Sequence, residues 1–417
     1  MKRLIVTGNN ILEGTIKISG AKNSAVALIP ASLLAEDEVV IENVPNISDI
    51  NSLNDILKYL GVSLVRENDR VTINLTKLEN KKVPEEIGTK LRASYYFMAS
   101  LLAKYKKVEM YFPGGCSIGA RPIDQTLKVF KSLGATVVEK DNLFLITADK
   151  LVGSEVMLDM PSVGATINAI IAASKADGVT TIKNAAKEPE IEDVANFLNK
   201  MGASIKGAGT DIITITGVDK LYGCTHKVIP DRIEAGTYII AGVLQGNNLK
   251  IENVNIEHIK SLLDVLIKMD ANINIYNDYV VVSKSSTKSI DIVTEGYPGF
   301  PTDLQQPITP LLVNSEGISH IKETIYENRF QNIKYLVDMG GNINLINNRE
   351  VEINGICSLT GKEVVATDLR AGACMLLAGL NAKGTTVINE VEHVLRGYEN
   401  ITGKLKEIGA KIDIDEI

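Results

Sequence analysis

Apolar and polar positions along this 417-residue chain fall into one pattern that recurs six times. A helix tail runs into a strand at LGVSLV (60–65), LGATVV (133–138), MGASIK (201–206), MDANIN (269–274), MGGNIN (339–344) and IGAKID (408–413). The second position of each marker falls at 61, 134, 202, 270, 340 and 409, giving steps of 73, 68, 68, 70 and 69 residues. In register with it, SGAKNSA (19–25), LRASYYF (91–97), VGATINA (163–169), IEAGTYI (233–239), FPTDLQQ (300–306) and LRAGACM (369–375) each open a helical stretch. Apolar runs such as VALIPASLLA and CMLLAGL follow them, then a β-branched strand such as VVIENV or VTTIKNA. A second helix leads to the marker, and strands such as VTINL, FLIT and IITIT close most units. Each unit therefore reads as βαβαββ. The marker glycine is expected to be a left-handed helix cap, where a side chain is strained.

The sixth unit stops after KIDID without a partner strand, while the first 20 residues carry an unassigned pair, RLIVTG and TIKISG. That N-terminal pair is expected to complete the last unit. Three units then make one domain, residues 21–229. The other three, with residues 1–20 plus 230–417, make the second. The chain crosses between them twice, an arrangement suited to a hinge and to a ligand cleft lined by both domains.

Composition narrows the function. A net charge of −7 and a pI near 5.4 argue against nucleic-acid binding. No apolar run approaches a membrane span, and the N-terminus lacks a signal-peptide core, so a cytoplasmic protein without membrane contact is expected. Cys116, Cys224, Cys357 and Cys374 fit neither a disulfide framework nor zinc spacing, and the four histidines show no metal pattern.

Candidate chemistry gathers where the repeat is broken or oddly charged. PGGCSIGARPID (113–124) is a glycine-rich loop in place of a short connection, with Cys116 at its centre and Arg121 behind it. A loop thiol among cations is prone to ionise; an inert loop cysteine is the ordinary alternative. Lys22, Arg92 and Arg370 stand at helix openings, where the dipole disfavours a cation and favours a bound anion. Asp303, at a fourth opening, reads as an N-cap. Arg329 in ENRF and Arg396 in RGYEN follow equivalent strands in units five and six. Arginines in such numbers suit a substrate bearing several negative charges.

Taken in order, SGAKN, PGGCSIGARPID, PSVGAT, EPEIED, IPDRIEAGT, FPTD, ENRF, TDLRAG and RGYEN make the chain resemble, over essentially its whole length, the enolpyruvyl transferase family in its UDP-N-acetylglucosamine branch. The resemblance implies an α/β fold of two domains, each of three βαβαββ units in an inside-out α/β barrel. It implies transfer of the enolpyruvyl group of phosphoenolpyruvate to the 3′-hydroxyl of UDP-N-acetylglucosamine, with no metal or organic cofactor. By the same resemblance Lys22, Asn23, Arg121 and Arg396 contact phosphoenolpyruvate. Arg92, the stretch Arg121, Pro122, Ile123, Asp124 and Gln125, with Asp303 and Ile325, contacts the UDP-sugar, and Arg329 and Arg370 line the cleft. It implies catalytic roles for Lys22, Arg396, Asp303 as general base and Cys116 as general acid, the last also being where fosfomycin alkylates the family. A monomer or weak homo-oligomer is expected. Leu395 and Ser48 depart from the family pattern, which usually has aspartate before Arg396 and in some members lysine at position 48. The shikimate-phosphate branch lacks the cysteine loop. A non-catalytic UDP-sugar binder could have lost Cys116, Lys22 or Asp303, all of which are present.

Overall fold

The computed structural model describes residues 2–111 and 123–416. The described chain divides into two compact units, residues 20–111 with 123–229, and residues 2–19 with 230–416. Each has its own apolar core.

The first helix of each repeat is largely apolar and is buried on every side beyond its opening turn. We number these helices α1 (Lys22–Ala31), α2 (Tyr96–Tyr105), α3 (Val163–Ala173), α4 (Arg232–Gln245), α5 (Thr302–Asn314) and α6 (Leu369–Asn381). In the first unit α2 packs on both α1 and α3; in the second α4, α5 and α6 pack on one another. A helix apolar all round can only be stable when covered on all faces. The second helix of each repeat is amphipathic, as in Ser48–Tyr59, which buries Ile50, Leu53, Ile56 and Leu57. The strands alternate buried and exposed residues, so their sheets lie outside the central helices with one face to solvent. Truncating a fully buried residue such as Leu28 is expected to cost about 2–5 kcal/mol.

Among the described residues there are six separate sheets, five of four strands and one of three, and none closes on itself. Unit three shows the plan. Strand Val179–Lys183 lies between parallel Glu155–Met157 and antiparallel Ile212–Thr216, which pairs with Ser204–Lys206. This is the expected βαβαββ order. Five markers place glycine at positive φ, Gly61, Gly134, Gly202, Gly340 and Gly409, and Asp270 takes the same conformation at the sixth with φ 59°.

The N-terminal expectation needs one correction. Lys2–Thr7 does complete unit six, lying antiparallel between Thr385–Asn389 and Lys411–Glu416. Thr15–Lys17 does not join it. That strand pairs in parallel with Leu249–Glu252 of unit four, and Thr225–Lys227 does the same for Val39–Glu42 of unit one. Each parallel strand immediately precedes a chain crossing, so each unit borrows its edge strand from the segment that enters or leaves it. At the crossings the Asp231 amide donates to the Ser19 carbonyl at 2.9 Å, and the Ala21 amide to the Ile229 carbonyl at 2.7 Å. Gly20 between them has no room for a side chain: a Cβ there meets the Asn43 carbonyl oxygen at 1.7 Å.

Candidate active site

In the unit holding α4, α5 and α6, the helix openings converge on one carboxylate. Asp303 is not the N-cap of α5 that the sequence suggested; the cap position is Pro301 and no side chain caps it. Asp303 lies in the first turn and binds two guanidinium groups, Arg329 at 2.7 Å through Oδ1 and Arg370 at 2.9 Å through Oδ2. The arginine side chains are nearly inaccessible, at 2% and 6%, while Asp303 keeps 28% of its side chain exposed. The accessible edge of the cluster is thus the carboxylate.

Electrostatics follow from this geometry. Burial alone raises the Asp303 carboxyl, but Arg370 and Arg329 outweigh it and hold the group well below the usual carboxylate range. Burial works against the charge of Arg370 as well, and Asp303 outweighs it, so that guanidinium is held more firmly protonated. A cation at the opening of α6 is therefore offset by Asp303, and the α6 cap falls to Asp368, which accepts from the Arg370 and Ala371 amides.

Further bonds fix the arginines. Arg370 donates to the Tyr398 hydroxyl at 3.1 Å, and that hydroxyl also meets Thr237 Oγ1 on α4 at 2.9 Å. Arg329 donates to the Thr302 carbonyl at 3.3 Å. Beside it, buried Glu323 accepts from Thr302 Oγ1 and from the Ile325 and Tyr326 amides, shaping the turn that presents Ile325, itself 40% exposed. Arg396 is half-buried and precedes Gly397, whose close packing on Leu369 sets the 396–398 turn against the start of α6.

In the unit holding α1, α2 and α3, Lys22 at the opening of α1 meets Asp49 at 2.7 Å. Asp49 is buried in the first turn of its own helix, where the dipole favours an anion. Asn23 follows on α1 and is half-buried. Arg92 opens a short 3-10 turn, Arg92–Tyr95, that touches α1, and lies 6.0 Å from the Tyr95 ring. Tyr95 in turn presses on the opening of α3, where a Cβ on Gly164 meets its hydroxyl at 1.6 Å. Buried Ile123 precedes the helix Asp124–Ser132. Gln125 donates to Asp124 at 2.8 Å and Asp159 at 2.9 Å, and accepts from the Asp159 amide, so both ends of its amide hold the 158–160 turn. Cys116, Arg121 and Pro122 lie outside the described residues.

The structure therefore joins Asp303, Arg329 and Arg370 in one cluster, with the Arg396 turn beside it, and separately joins Lys22 to Asp49. Asp49, Thr237, Glu323, Asp368 and Tyr398 were not read from the sequence. Asp49 carried a weak signal, an acid in a helix first turn, but its partner lies 27 positions away (49 − 22) in another helix. Among the described residues no cluster of His, Cys, Asp and Glu could hold a metal ion, and no helix is long and apolar enough to cross a membrane.

Within the second unit, two buried guanidinium groups are thus held by one carboxylate at the accessible edge of their cluster. Comparisons with known proteins identify the family. Residues 6–405 match the family model for EPSP synthase (3-phosphoshikimate 1-carboxyvinyltransferase). The enolpyruvyl transferase NikO from Streptomyces tendae superposes with a TM-score of 0.90 at 25% identity, over 99% of each chain. EPSP synthase from Acinetobacter baumannii shares the fold with a TM-score of 0.74 at 20% identity, over all of both chains. The chain belongs to the enolpyruvyl (1-carboxyvinyl) transferase family. Within it, UDP-N-acetylglucosamine 1-carboxyvinyltransferase 2 of Listeria monocytogenes is 50% identical over 411 residues, covering 98% of this chain and 97% of the relative. The enzyme of the same name from Bacillus subtilis is 47% identical over 414 residues, covering 99% and 96%.

Proposed function

We propose that the chain transfers the enolpyruvyl group of phosphoenolpyruvate to the 3′-hydroxyl of UDP-N-acetylglucosamine with release of phosphate, the first committed step of peptidoglycan precursor synthesis. The observation that carries this reading is the Asp303 cluster, an accessible carboxylate held ionised by two buried arginines in a chain about half identical to enzymes named for this reaction.

The chemistry is an addition followed by an elimination. The sugar oxygen forms a bond to C2 of phosphoenolpyruvate, its proton goes to Asp303, and C3 takes a proton from an acid. The tetrahedral intermediate then breaks its C2–O bond to phosphate and loses a C3 proton, giving the enolpyruvyl ether and inorganic phosphate. With both guanidinium groups on it, Asp303 is a poor base but a good acceptor for orienting the hydroxyl. Its basicity rises when substrate anions draw an arginine away. Lys22, Asn23, Arg121 and Arg396 hold phosphoenolpyruvate and stabilise charge on its phosphate and carboxylate through the addition. Arg92, residues 121–125, Asp303 and Ile325 hold the UDP-sugar. Cys116 is the acid at C3 and the residue fosfomycin alkylates. The enzyme acts in the cytoplasm as a monomer or weak homo-oligomer, without metal or organic cofactor.

The test is phosphate release from phosphoenolpyruvate with UDP-N-acetylglucosamine, beside shikimate 3-phosphate and beside a Cys116→Ala variant. Release with the UDP-sugar alone, sharply reduced in the variant, supports the reading. Release with shikimate 3-phosphate instead moves the chain to the other branch. Release with neither, despite UDP-sugar binding, leaves a binding protein.

A further inference from the structure

A second cationic site lies in the first unit, at the opposite end of the central helices from Arg92. Lys104 and Lys106 stand at the C-terminal end of α2, Lys175 just beyond α3, and Lys150 on the segment between two strands; with Asp177 and Asp219 they line one cavity of about 440 Å³. Residues at the C-terminal ends of α2 and α3 both border it. From Tyr96 to Lys104 α2 advances 8 residues (104 − 96), roughly 12 Å at 1.5 Å per residue, and the Arg92–Tyr95 turn lies before its start. The cavity is therefore separate from the residues assigned to the reaction.

Lysines at helix C-termini have an ordinary role, binding the last carbonyls and opposing the dipole. That role accounts for part of what is seen. Lys104 donates to the Leu33 carbonyl at 3.0 Å and the Ala35 carbonyl at 2.7 Å, Lys106 to the Ala103 carbonyl, and Lys175 to the Asp219 carbonyl. An ammonium has three donors. Among the described residues, most of the donors on Lys106 and Lys175 therefore remain for another partner, and Lys150 has only a loose ion pair with Asp177 at 3.8 Å. Four ammonium groups face two carboxylates, leaving local positive charge in a protein whose net charge is −7. Crowding is evident: burial lowers the Lys104 and Lys106 ammonium groups from their ordinary value, and Lys175 adds to the effect on both, with Glu36 opposing it at Lys104 and Asp177 at Lys106.

We propose that this cavity is a second anion site that takes a diphosphate group, with Lys106, Lys150 and Lys175 as its principal donors. No aromatic ring is among the described residues lining it, so the site reads charge rather than a base or sugar face. A single carboxylate engages one or two ammonium groups, whereas a diphosphate spreads its charge over several ångströms and reaches lysines on separate segments. Binding weakens as salt rises, because the site is open and its lysines are partly solvated.

Calorimetric titration of the full chain with inorganic pyrophosphate in low salt tests this. The assigned reaction site is itself basic, so two variants separate the sources. Binding is expected to persist in Lys22→Ala/Arg92→Ala and to fall at least about tenfold in Lys150→Glu/Lys175→Glu, a change of about 1.4 kcal/mol. An isotherm for the lysine pair that matches the unmodified protein overturns the proposal, as does an absence of binding to the unmodified protein at millimolar pyrophosphate. If charge reversal lowers the melting temperature without ligand, Lys150→Gln/Lys175→Gln carries the same reading.

Discussion

Asp303 meets Arg370 across two helix openings at 2.9 Å, and the pair is asymmetric: the guanidinium is buried and the carboxylate is reachable. Removing the charge and removing the side chain should therefore have different consequences. Asp303→Asn keeps the shape and some hydrogen bonding but cannot take a proton. Its kcat for the proposed transfer is expected to fall about 10²-fold or more, with UDP-sugar affinity changed far less. Both variants leave two buried guanidinium groups without their counter-ion, and Asp303→Ala, which loses the remaining hydrogen bonds too, is expected to cost about 3–5 kcal/mol of stability as well. Steady-state kinetics with denaturant melts on both variants separates these effects. An asparagine variant as stable as the unmodified protein would count against the ion-pair account.

Lys22 depends on a residue that is not itself assigned to the substrate. Asp49 holds the ammonium at 2.7 Å from a buried position in the first turn of a neighbouring helix. In Asp49→Asn the ammonium loses its charged anchor while the helix keeps an acceptable first-turn residue. The expected result is a rise in KM for phosphoenolpyruvate of about tenfold, with the KM for UDP-N-acetylglucosamine nearly unchanged. Equal rises in both would assign Asp49 a general structural part.

Why some of this was legible in sequence and some was not has a physical reason. Repetition is a local pattern, so LGATVV and MGASIK announced helix ends and hairpins, and the unpaired KIDID announced that a strand had to come from elsewhere. Sheet neighbours across the chain are a different matter. Thr15–Lys17 could serve any unit lacking a parallel edge strand, and only packing assigns it to unit four. The site shows the same division. Cations at Lys22, Arg92 and Arg370 stood out because the helix dipole makes them costly there. Their partners Asp303 and Asp49 did not, because an acid in a helix first turn is ordinary. The clamp on Asp303 exists only once units five and six lie side by side.

Glu234 supplies a pH dependence. In the first turn of α4 it accepts from the Ser19 amide at 2.7 Å and from Lys404 at 2.6 Å. Burial raises its carboxyl to about 7, against the opposing pull of Lys404. The folded pKa thus lies above the unfolded value near 4.5, so protonation favours the fold. That contribution is fully present below about 4.5 and is lost as pH rises through about 7. Its upper limit is roughly 3 kcal/mol, the free energy that separates a carboxyl titrating near 4.5 from one titrating near 7. Glu234→Gln removes the titration. Relative to the unmodified protein the variant should gain stability between about pH 4 and pH 8. Denaturant melts that track each other across that range would refute the assignment.

The six markers allow a test of backbone strain with little interference from packing. At Gly202, φ is +105°, and the nearest atom to an added Cβ is Tyr222 Cδ2 at 3.8 Å, so there is room for a methyl group. Gly202→Ala therefore meets no clash, only a conformation that L-residues avoid, and should cost about 1–2 kcal/mol. Asp270 is the converse case. It already bears the left-handed conformation, at φ 59°, in the one marker without glycine. Its side chain pairs with Lys288 at 2.6 Å, but both are largely exposed, at 59% and 69%, so solvent screens the pair and it adds little. Asp270→Gly exchanges that small gain for relief of a similar backbone cost, so the net change should stay within about 1 kcal/mol of zero. Melts of the two variants side by side decide the matter. A larger loss for Asp270→Gly than for Gly202→Ala would mean that the Lys288 pair, and not the cap conformation, holds the end of that helix.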